Sequence, residues 1–197
     1  FLADNYQVCI RTNMQIYWDQ IFMANNSSKT NIKLSRLKPI SANLHFRGFS
    51  KLKKKNYSSP HFPEYYNIDK NKKWRDLVGN YTKYGNTLPL LLDSDNKYVI
   101  MNSGDELSLE FDALKLPSLK KDWKREFIFY NDGWLKDGDL NTAYGKTVAP
   151  LPFHGMSSYP EGALNRYPKE KELLEYQKMY NTRKVDNSTF NKMIINY

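Results

Sequence analysis

The chain has 197 residues, of which 40% are hydrophobic and 15% aromatic, and its formal net charge is +9. This length suits one domain, or one domain with an appendage, and is sufficient for a hydrophobic core. The composition excludes a disordered chain, and no apolar run reaches the roughly 18–20 residues that a membrane-spanning helix needs.

The single cysteine and the lysines say little about chemistry. Cys9 can form no intrachain disulfide and lies in an apolar stretch, so we interpret it as a small buried hydrophobic residue. The positive charge fits either a polyanionic partner or a solvated lysine-rich surface, and its only dense cluster is residues 51–55. No helix-turn-helix, zinc-finger or aromatic RNA-binding signature accompanies that cluster, so nucleic acid is a disfavoured partner.

Period-two alternation predicts several short strands. Residues 8–19 place apolar side chains on one parity and polar ones on the other, which is typical of a half-buried strand. Residues 42–49 and 107–111 alternate in the same way, and Asp105-Glu106 is interpreted as a turn before the latter. The apolar runs 88–92 and 98–101, joined by an Asp-Ser-Asp-Asn turn, predict a hairpin. The run Phe-Ile-Phe-Tyr at 127–130 predicts a further strand.

Two other regions differ from this strand pattern. Residues 50–84 are rich in Lys, Asn, Pro and Tyr and predict a long surface excursion, with a short helical turn at 74–78. Pro168 suits the first position of a helix, and Glu170 and Glu172 suit its positive N-terminus. This helix, ending near 181–184, places on one face the apolar side chains Leu173, Tyr176, Met179 and Tyr180.

The strands and turns together predict a mostly β fold. We expect an antiparallel β-sandwich or jelly-roll-like domain over residues 1–166, with a long loop excursion, followed by a C-terminal helix and tail over residues 167–197. The chain begins with Phe1 and shows no signal peptide, so we expect a fragment of a longer protein.

Five phrases, in this order and spacing, carry a family resemblance. They are IRTNMQIYWDQ (10–20), LHFRGFS (44–50), GNYTKYGN (79–86), YVIMNSGDELSLEF (98–111) and FYNDGWLKDGDLNTAYGKTVAPLPFHGMSSYP (129–160). The set resembles a C-terminal region of bacterial ASPIC/UnbV-type proteins with FG-GAP (VCBS-like) repeats, which are relatives of cartilage acidic protein. The phrases span most of residues 8–160.

The resemblance implies an extracytoplasmic protein, meaning secreted, periplasmic or on the cell surface, in which this region follows a β-propeller and sometimes accompanies TPR repeats. Its partners would be other domains of the same protein or partner subunits. The propeller's calcium-loop motifs and the small ASPIC/UnbV motif are absent from this chain, so those calcium sites do not transfer. The resemblance supplies no catalytic residues.

An oxygen-rich loop follows the predicted strand 127–130 and is the candidate metal site. Asp137, Asp139 and Asn141 have the opening spacing of a calcium loop, and Asp132 could supply another oxygen. The sixth position is Thr142 rather than Gly, and the twelfth is Val148 rather than Glu. No cofactor is certain: calcium fits the spacing, while Asx-turn hydrogen bonding explains the same residues without an ion.

Aromatic residues beside carboxylates form the candidate ligand site. Trp18 and Asp19 end a predicted strand, and Trp134 could add a second stacking platform for a sugar ring. His154 follows Pro152-Phe153 and is either a ligand contact or a structural hydrogen-bonder. A buried tryptophan in the core is the competing interpretation of Trp18 and Trp134.

The sequence shows no catalytic constellation, since no Ser-His-Asp or Cys-His arrangement can be assembled from it. We therefore expect a non-catalytic β-sandwich module that serves assembly or protein–protein contact. The alternative is a carbohydrate- or calcium-binding module. An enzyme domain would require a pocket lined by Asp19, His154 and Asp137.

Overall fold

The structure, a computed structural model, describes residues 32–71, 75–136, 145–162, 166–186 and 188. Spatial proximity divides the chain into two units, Phe1–Ser35 and Arg36–Tyr197. Every helix and strand below belongs to the second unit. The strand predicted over residues 8–19 lies outside the described residues.

A three-stranded antiparallel sheet is built around β1 (Ser41–Phe46). One neighbour is β5 (Gly85–Asn86) and the other is β6 (Asp105–Glu110). The register runs from Ser41 opposite Glu110 to Phe46 opposite Asp105. The strands predicted at 42–49 and 107–111 are therefore confirmed with shifted ends, whereas Asp105-Glu106 begins a strand rather than forming the turn before it.

The two faces of this sheet differ as the alternation predicts. Residues opposite each other in the ladder share a face, so Ala42 pairs with Leu109 and Leu44 pairs with Leu107 on one side. Ala42 and Leu44 are buried on that side. The other face is polar, and there Glu106 forms ion pairs with His45 and Arg47 at 3.3 and 3.2 Å.

A long hairpin occupies the first part of the predicted excursion. Its strands are β2 (Phe49–Lys54) and β3 (His61–Asp69), antiparallel, with an irregularity between Ser50 and Lys51. The segment is exposed, as predicted, but it is regular strand rather than loop. The helical turn predicted at 74–78 is wrong for the described residues 75–78, since Val78 instead forms a parallel bridge with Thr147.

The C-terminal part of the chain packs against residues from its middle part. Helix α1 (Lys171–Tyr180) is close to the prediction, and Leu173 and Tyr176 on its predicted apolar face are buried against Leu90. Met179, on the same predicted face, is exposed. After the helix, β7 (Arg183–Val185) pairs antiparallel with β4 (Gly79–Tyr81), where the sequence predicted only the end of a helix and a tail.

Three predicted strands are absent from the described sheets. Residues 88–90 form a 3₁₀ helix containing Pro89, and this proline lacks the N–H that a paired strand needs. Residues 98–101 form no strand either, so the predicted hairpin is wrong. Residues 127–130 belong to no strand, although their side chains are typical of strands.

The described residues form a mostly β structure with antiparallel sheets, 26% strand against 12% helix. Within the described residues the sheets remain open. No helix in the described part of the chain has the length and apolar character required to cross a bilayer.

Candidate functional site

Two residues singled out for separate reasons meet at one place. Asp132 was a candidate metal ligand and His154 a candidate ligand contact. The structure places Nε2 of His154 3.1 Å from Oδ2 of Asp132, with both side chains about half exposed. The hydroxyl of Ser94 donates to the same carboxylate oxygen.

The loop 93–98 supplies the rest of this cluster; the sequence predicted a turn at residues 93–96 and a strand beginning at Tyr98. Oδ1 of Asn96 accepts a hydrogen bond from the backbone N–H of His154 at 2.7 Å and lies 3.0 Å from its Nδ1. The ring of Tyr98 stacks on the imidazole, with centroids 6.2 Å apart and 16° between planes. In the sequence Ser94 and Asn96 are typical turn residues, and no local pattern places them beside His154.

Both ring nitrogens of His154 face acceptors. The backbone N–H of His154 identifies the nearby Asn96 atom as the amide oxygen, so Nδ1 must donate to it. Nε2 faces the Asp132 carboxylate. The imidazole therefore bridges the Asn96 amide and the Asp132 carboxylate.

The hydrogen bonds from Ser94, and then from His154, hold the pKa of Asp132 below its ordinary value of 3.8. A lowered carboxyl pKa means that the stabilisation is present above pH 3.8 and is lost as the pH falls through the folded-state pKa. We expect an NMR titration of the Asp132 carboxyl carbon to have its midpoint below 3.8, and Ser94→Ala to raise that midpoint. Ser118→Ala, at an exposed serine elsewhere, should leave it unchanged; an equal midpoint in wild type and Ser94→Ala would contradict the hydrogen bond.

The order of groups in this cluster is not that of a nucleophilic relay. In a catalytic triad the histidine lies between the serine and the acid. Here the carboxylate of Asp132 lies between Ser94 and His154, so the imidazole does not activate the hydroxyl. The hydrogen bonds of this cluster connect the loop 93–98 to Asp132 and to the turn at His154.

Trp134, the proposed stacking platform, lies two residues beyond Asp132 and is 53% exposed. Its ring leans on Tyr159, with centroids 5.6 Å apart and 48° between planes. The ammonium of Lys136 lies 5.3 Å from the Tyr159 ring centroid and donates to the carbonyls of Val148 and Ala149. One face of Trp134 is therefore used within the protein.

The other predicted site residues lie outside the described residues. These are Trp18, Asp19, Asp137, Asp139 and Asn141. The described residues contain no group of three or more His, Cys, Asp or Glu side chains able to hold a metal ion. Calcium binding by the 137–141 loop therefore stays a prediction.

A buried polar network that the sequence did not indicate holds β7 to the loop before β6. The Asp105 carboxylate is 1% exposed and accepts from Arg183, from the hydroxyl of Tyr84 at 2.8 Å and from the backbone N–H of Asn102 at 2.6 Å. Burial, together with the bond to Asp105, raises the pKa of Tyr84 to about 12. The guanidinium of Arg183 also lies 4.3 Å from the centroid of the Tyr84 ring.

A cleft of about 160 Å³ opens beside this network, lined by Phe46, Phe49, Asp76, Tyr84 and Asp105 among others. It is smaller than the roughly 300–1,000 Å³ typical of small-molecule sites. Asp105 is fully used by its hydrogen bonds. The network is therefore a structural element rather than a reaction centre.

The most unusual surface is an apolar segment, residues 127–135, which contains the strand predicted at 127–130. Six of its nine residues are large and apolar and lie 53–91% exposed: Phe127, Ile128, Phe129, Tyr130, Trp134 and Leu135. Among the described residues, two of the six have an aromatic neighbour outside the segment: Phe129 contacts Phe111, with centroids 6.4 Å apart, and Trp134 leans on Tyr159. Single exposed apolar residues are ordinary, but a contiguous group marks a binding surface.

The backbone of this segment also lacks strand partners among the described residues. In the described part of the chain, residues 127–130 take part in no strand ladder and make no backbone–backbone hydrogen bond. Its second half is held by the Asp132–His154 contact and by the packing of Trp134 on Tyr159. Within the described residues, the segment therefore presents exposed apolar side chains and a backbone without a strand partner.

Comparison with known proteins found no matching family model, no matching curated protein and no matching solved structure. The resemblance to the ASPIC/UnbV-type proteins therefore stays a prediction.

Proposed function

We propose that the chain is a non-catalytic β-sandwich module of a larger secreted or surface protein and that it serves assembly through protein–protein contact. The exposed apolar segment 127–135 carries this proposal. Ile128, the most exposed of its side chains at 91%, contacts water where a strand of this composition would ordinarily be covered.

Burial of these side chains against a partner would lower the free energy of the complex. Burial of a Phe, Ile or Leu side chain contributes about 1.5–3 kcal/mol, and four such residues occur between 127 and 135. The unpaired backbone offers main-chain hydrogen bonds in addition, as in recognition by strand addition. Apolar burial and main-chain hydrogen bonds give binding affinity without any catalytic group, as the proposal requires.

A second copy of the chain fits the segment best. Residues 127–131 carry no charge and no proline, which is the composition that pairs with an identical strand. Two copies related by a two-fold axis would form an antiparallel pair in which each contributes the same surface. The charge of +9 repels distant copies, and salt screens this repulsion.

Other features support the finer parts of the proposal. The three-stranded sheet has one buried and one polar face, which is the pattern of a sandwich layer. The five family-like phrases support a place beyond a β-propeller in an extracytoplasmic protein, with other domains or partner subunits as contacts.

The test is sedimentation velocity over a range of concentrations. We expect the wild-type chain to dimerise at micromolar concentration and Ile128→Lys to weaken dimerisation at least about tenfold, because a buried unpaired charge is strongly unfavourable in an interface. The matched control is Leu114→Lys, since Leu114 is 95% exposed but lies outside the segment. It should dimerise like the wild type.

Two results would overturn this proposal. One is a wild-type chain that stays monomeric at every concentration. The other is equal weakening by Ile128→Lys and Leu114→Lys, which would assign any association to general surface charge.

The carbohydrate- or calcium-binding alternative has less support. Trp134 is half exposed, as a sugar platform would be, but it leans on Tyr159. Asp132, the described member of the predicted calcium set, is occupied by Ser94 and His154 through the same oxygen. The alternative therefore depends on residues 137–141 and on a glycan or calcium titration.

A further inference from the structure

The tip of the β2–β3 hairpin, residues 51–62, has a composition distinct from the rest of the surface. It carries four lysines and no acidic residue, interleaved with Leu52, Tyr57 and Phe62. These three apolar side chains are 57%, 96% and 53% exposed. The hairpin does not use them to build the core.

The hairpin is fixed at its base and ordered at its tip. At the base, the guanidinium of Arg47 lies 3.8 Å from the centroid of the Tyr65 ring, and the Tyr65 hydroxyl donates to Glu106 at 2.7 Å. At the tip, the Ser59 hydroxyl accepts from the backbone N–H groups of Lys55 and Asn56 at 2.9 and 3.0 Å. The exposed side chains are therefore presented on a defined scaffold.

Each face of the ribbon pairs apolar and cationic side chains. Leu52 lies opposite Pro63, and two residues further Lys54 lies opposite His61 on the same face. On the other face Lys53 lies opposite Phe62. Lys53 also forms an exposed ion pair with Glu64 at 3.4 Å, and Lys51 lies opposite the same glutamate in the ladder. Among the described residues, Lys51, Lys54 and Lys55 form no ion pair within 4.0 Å.

The presence of apolar and cationic side chains on both faces of the hairpin indicates which kind of partner it fits. A folded protein covers one face of a ribbon and leaves the other in water. A phosphate backbone satisfies lysines but offers nothing to an aliphatic side chain such as Leu52. The headgroup layer of a bilayer can surround the tip, with its phosphates near the lysines and its acyl boundary near the apolar side chains.

We propose that the hairpin tip binds the surface of an anionic phospholipid membrane. Binding would be peripheral, through about three lysines and the apolar side chains at the tip. It is independent of the apolar segment, so hairpin variants should leave the dimerisation of the chain unchanged.

The experiment is co-sedimentation with vesicles of phosphatidylcholine containing phosphatidylserine, and with vesicles of phosphatidylcholine alone. Each lysine near an anionic surface contributes roughly fivefold in binding. The combined variant Lys51→Gln, Lys54→Gln, Lys55→Gln should therefore weaken binding to the anionic vesicles on the order of 100-fold. Leu52→Ser with Phe62→Ser should weaken binding at least about tenfold even in high salt, because the apolar contribution is not screened.

The matched control makes the same change of charge on helix α1 and β7: Lys171→Gln, Lys178→Gln, Lys184→Gln. It should lower vesicle binding less than about threefold. Equal losses in the two triple variants would overturn the proposal, as would equal binding to both kinds of vesicle. Binding to duplex or single-stranded DNA without binding to anionic vesicles would also overturn it, in favour of nucleic acid.

Discussion

Asp105→Ala is expected to lower the free energy of unfolding by about 3–5 kcal/mol, the cost of leaving a buried charge without its partner. The carboxylate is 1% exposed and satisfies Arg183, Tyr84 and the backbone of Asn102. Its removal leaves the guanidinium of Arg183 partly buried beside an empty position. Urea denaturation followed by circular dichroism would measure the loss.

The matched control for this variant is Asp93→Ala. Asp93 also accepts from a cation, Lys38, at 3.2 Å, but both side chains are largely exposed. Exposed ion pairs contribute about 0–1 kcal/mol. If Asp105→Ala cost no more than Asp93→Ala, the buried network would have no stabilising role and β7 would have to be held by its ladder with β4 alone.

Leu44→Ala is expected to lower the free energy of unfolding by about 2–5 kcal/mol, through lost burial and the cavity left behind. Leu44 is completely buried and lies on the central strand, between Gly85 on β5 and Leu107 on β6. Gly85 has no side chain that could move into the space. Thermal and urea unfolding would both report the change.

Leu114→Ala supplies the comparison, because Leu114 is the same residue type in an exposed position. A surface substitution of this kind stays within about 0.5 kcal/mol. Similar losses in the two variants would mean that β1 does not form the centre of a buried sheet face.

The elements that could be predicted are those with one buried and one exposed face. In β1 the buried residues Ala42 and Leu44 alternate with polar ones, and in α1 the buried residues Leu173 and Tyr176 are three apart. A helix or strand with one face on the core shows this periodicity in its sequence. Both elements were predicted within a few residues of their ends.

The hairpin β2–β3 was missed for the opposite reason. Both of its faces are exposed, so no side of it needs to be apolar and no period of two appears. β7 is only three residues long and depends on Gly79–Tyr81, about one hundred positions earlier in the chain. Pairing over such a separation leaves no local signal.

Residues 127–130 show the limit of strand propensity. Phe, Ile and Tyr favour strands because they pack well on a half-buried pleated surface, but the described residues provide no such surface to this run. The sequence predicted a strand, and the described residues give this run no strand partner. A pairing strand is what the described residues lack, and we therefore propose this segment as the protein–protein contact.

The candidate site was only half visible in the sequence. Asp132 and His154 were each singled out, but nothing in their spacing of 22 residues indicated a contact of 3.1 Å. Ser94 and Asn96 were interpreted as turn residues, which is their ordinary role. The loop 93–98 joins the site through tertiary structure alone.

The most direct measurement of the central claim is amide hydrogen exchange of residues 127–130 in dilute and in concentrated solution. In dilute solution these amides should exchange within about tenfold of the rate of an unstructured chain, because they have no backbone partner among the described residues. At concentrations where the chain dimerises, they should be protected at least about tenfold more, while Ile128→Lys remains unprotected. Protection already complete in the dilute monomer, or none at any concentration, would contradict a contact made by this segment.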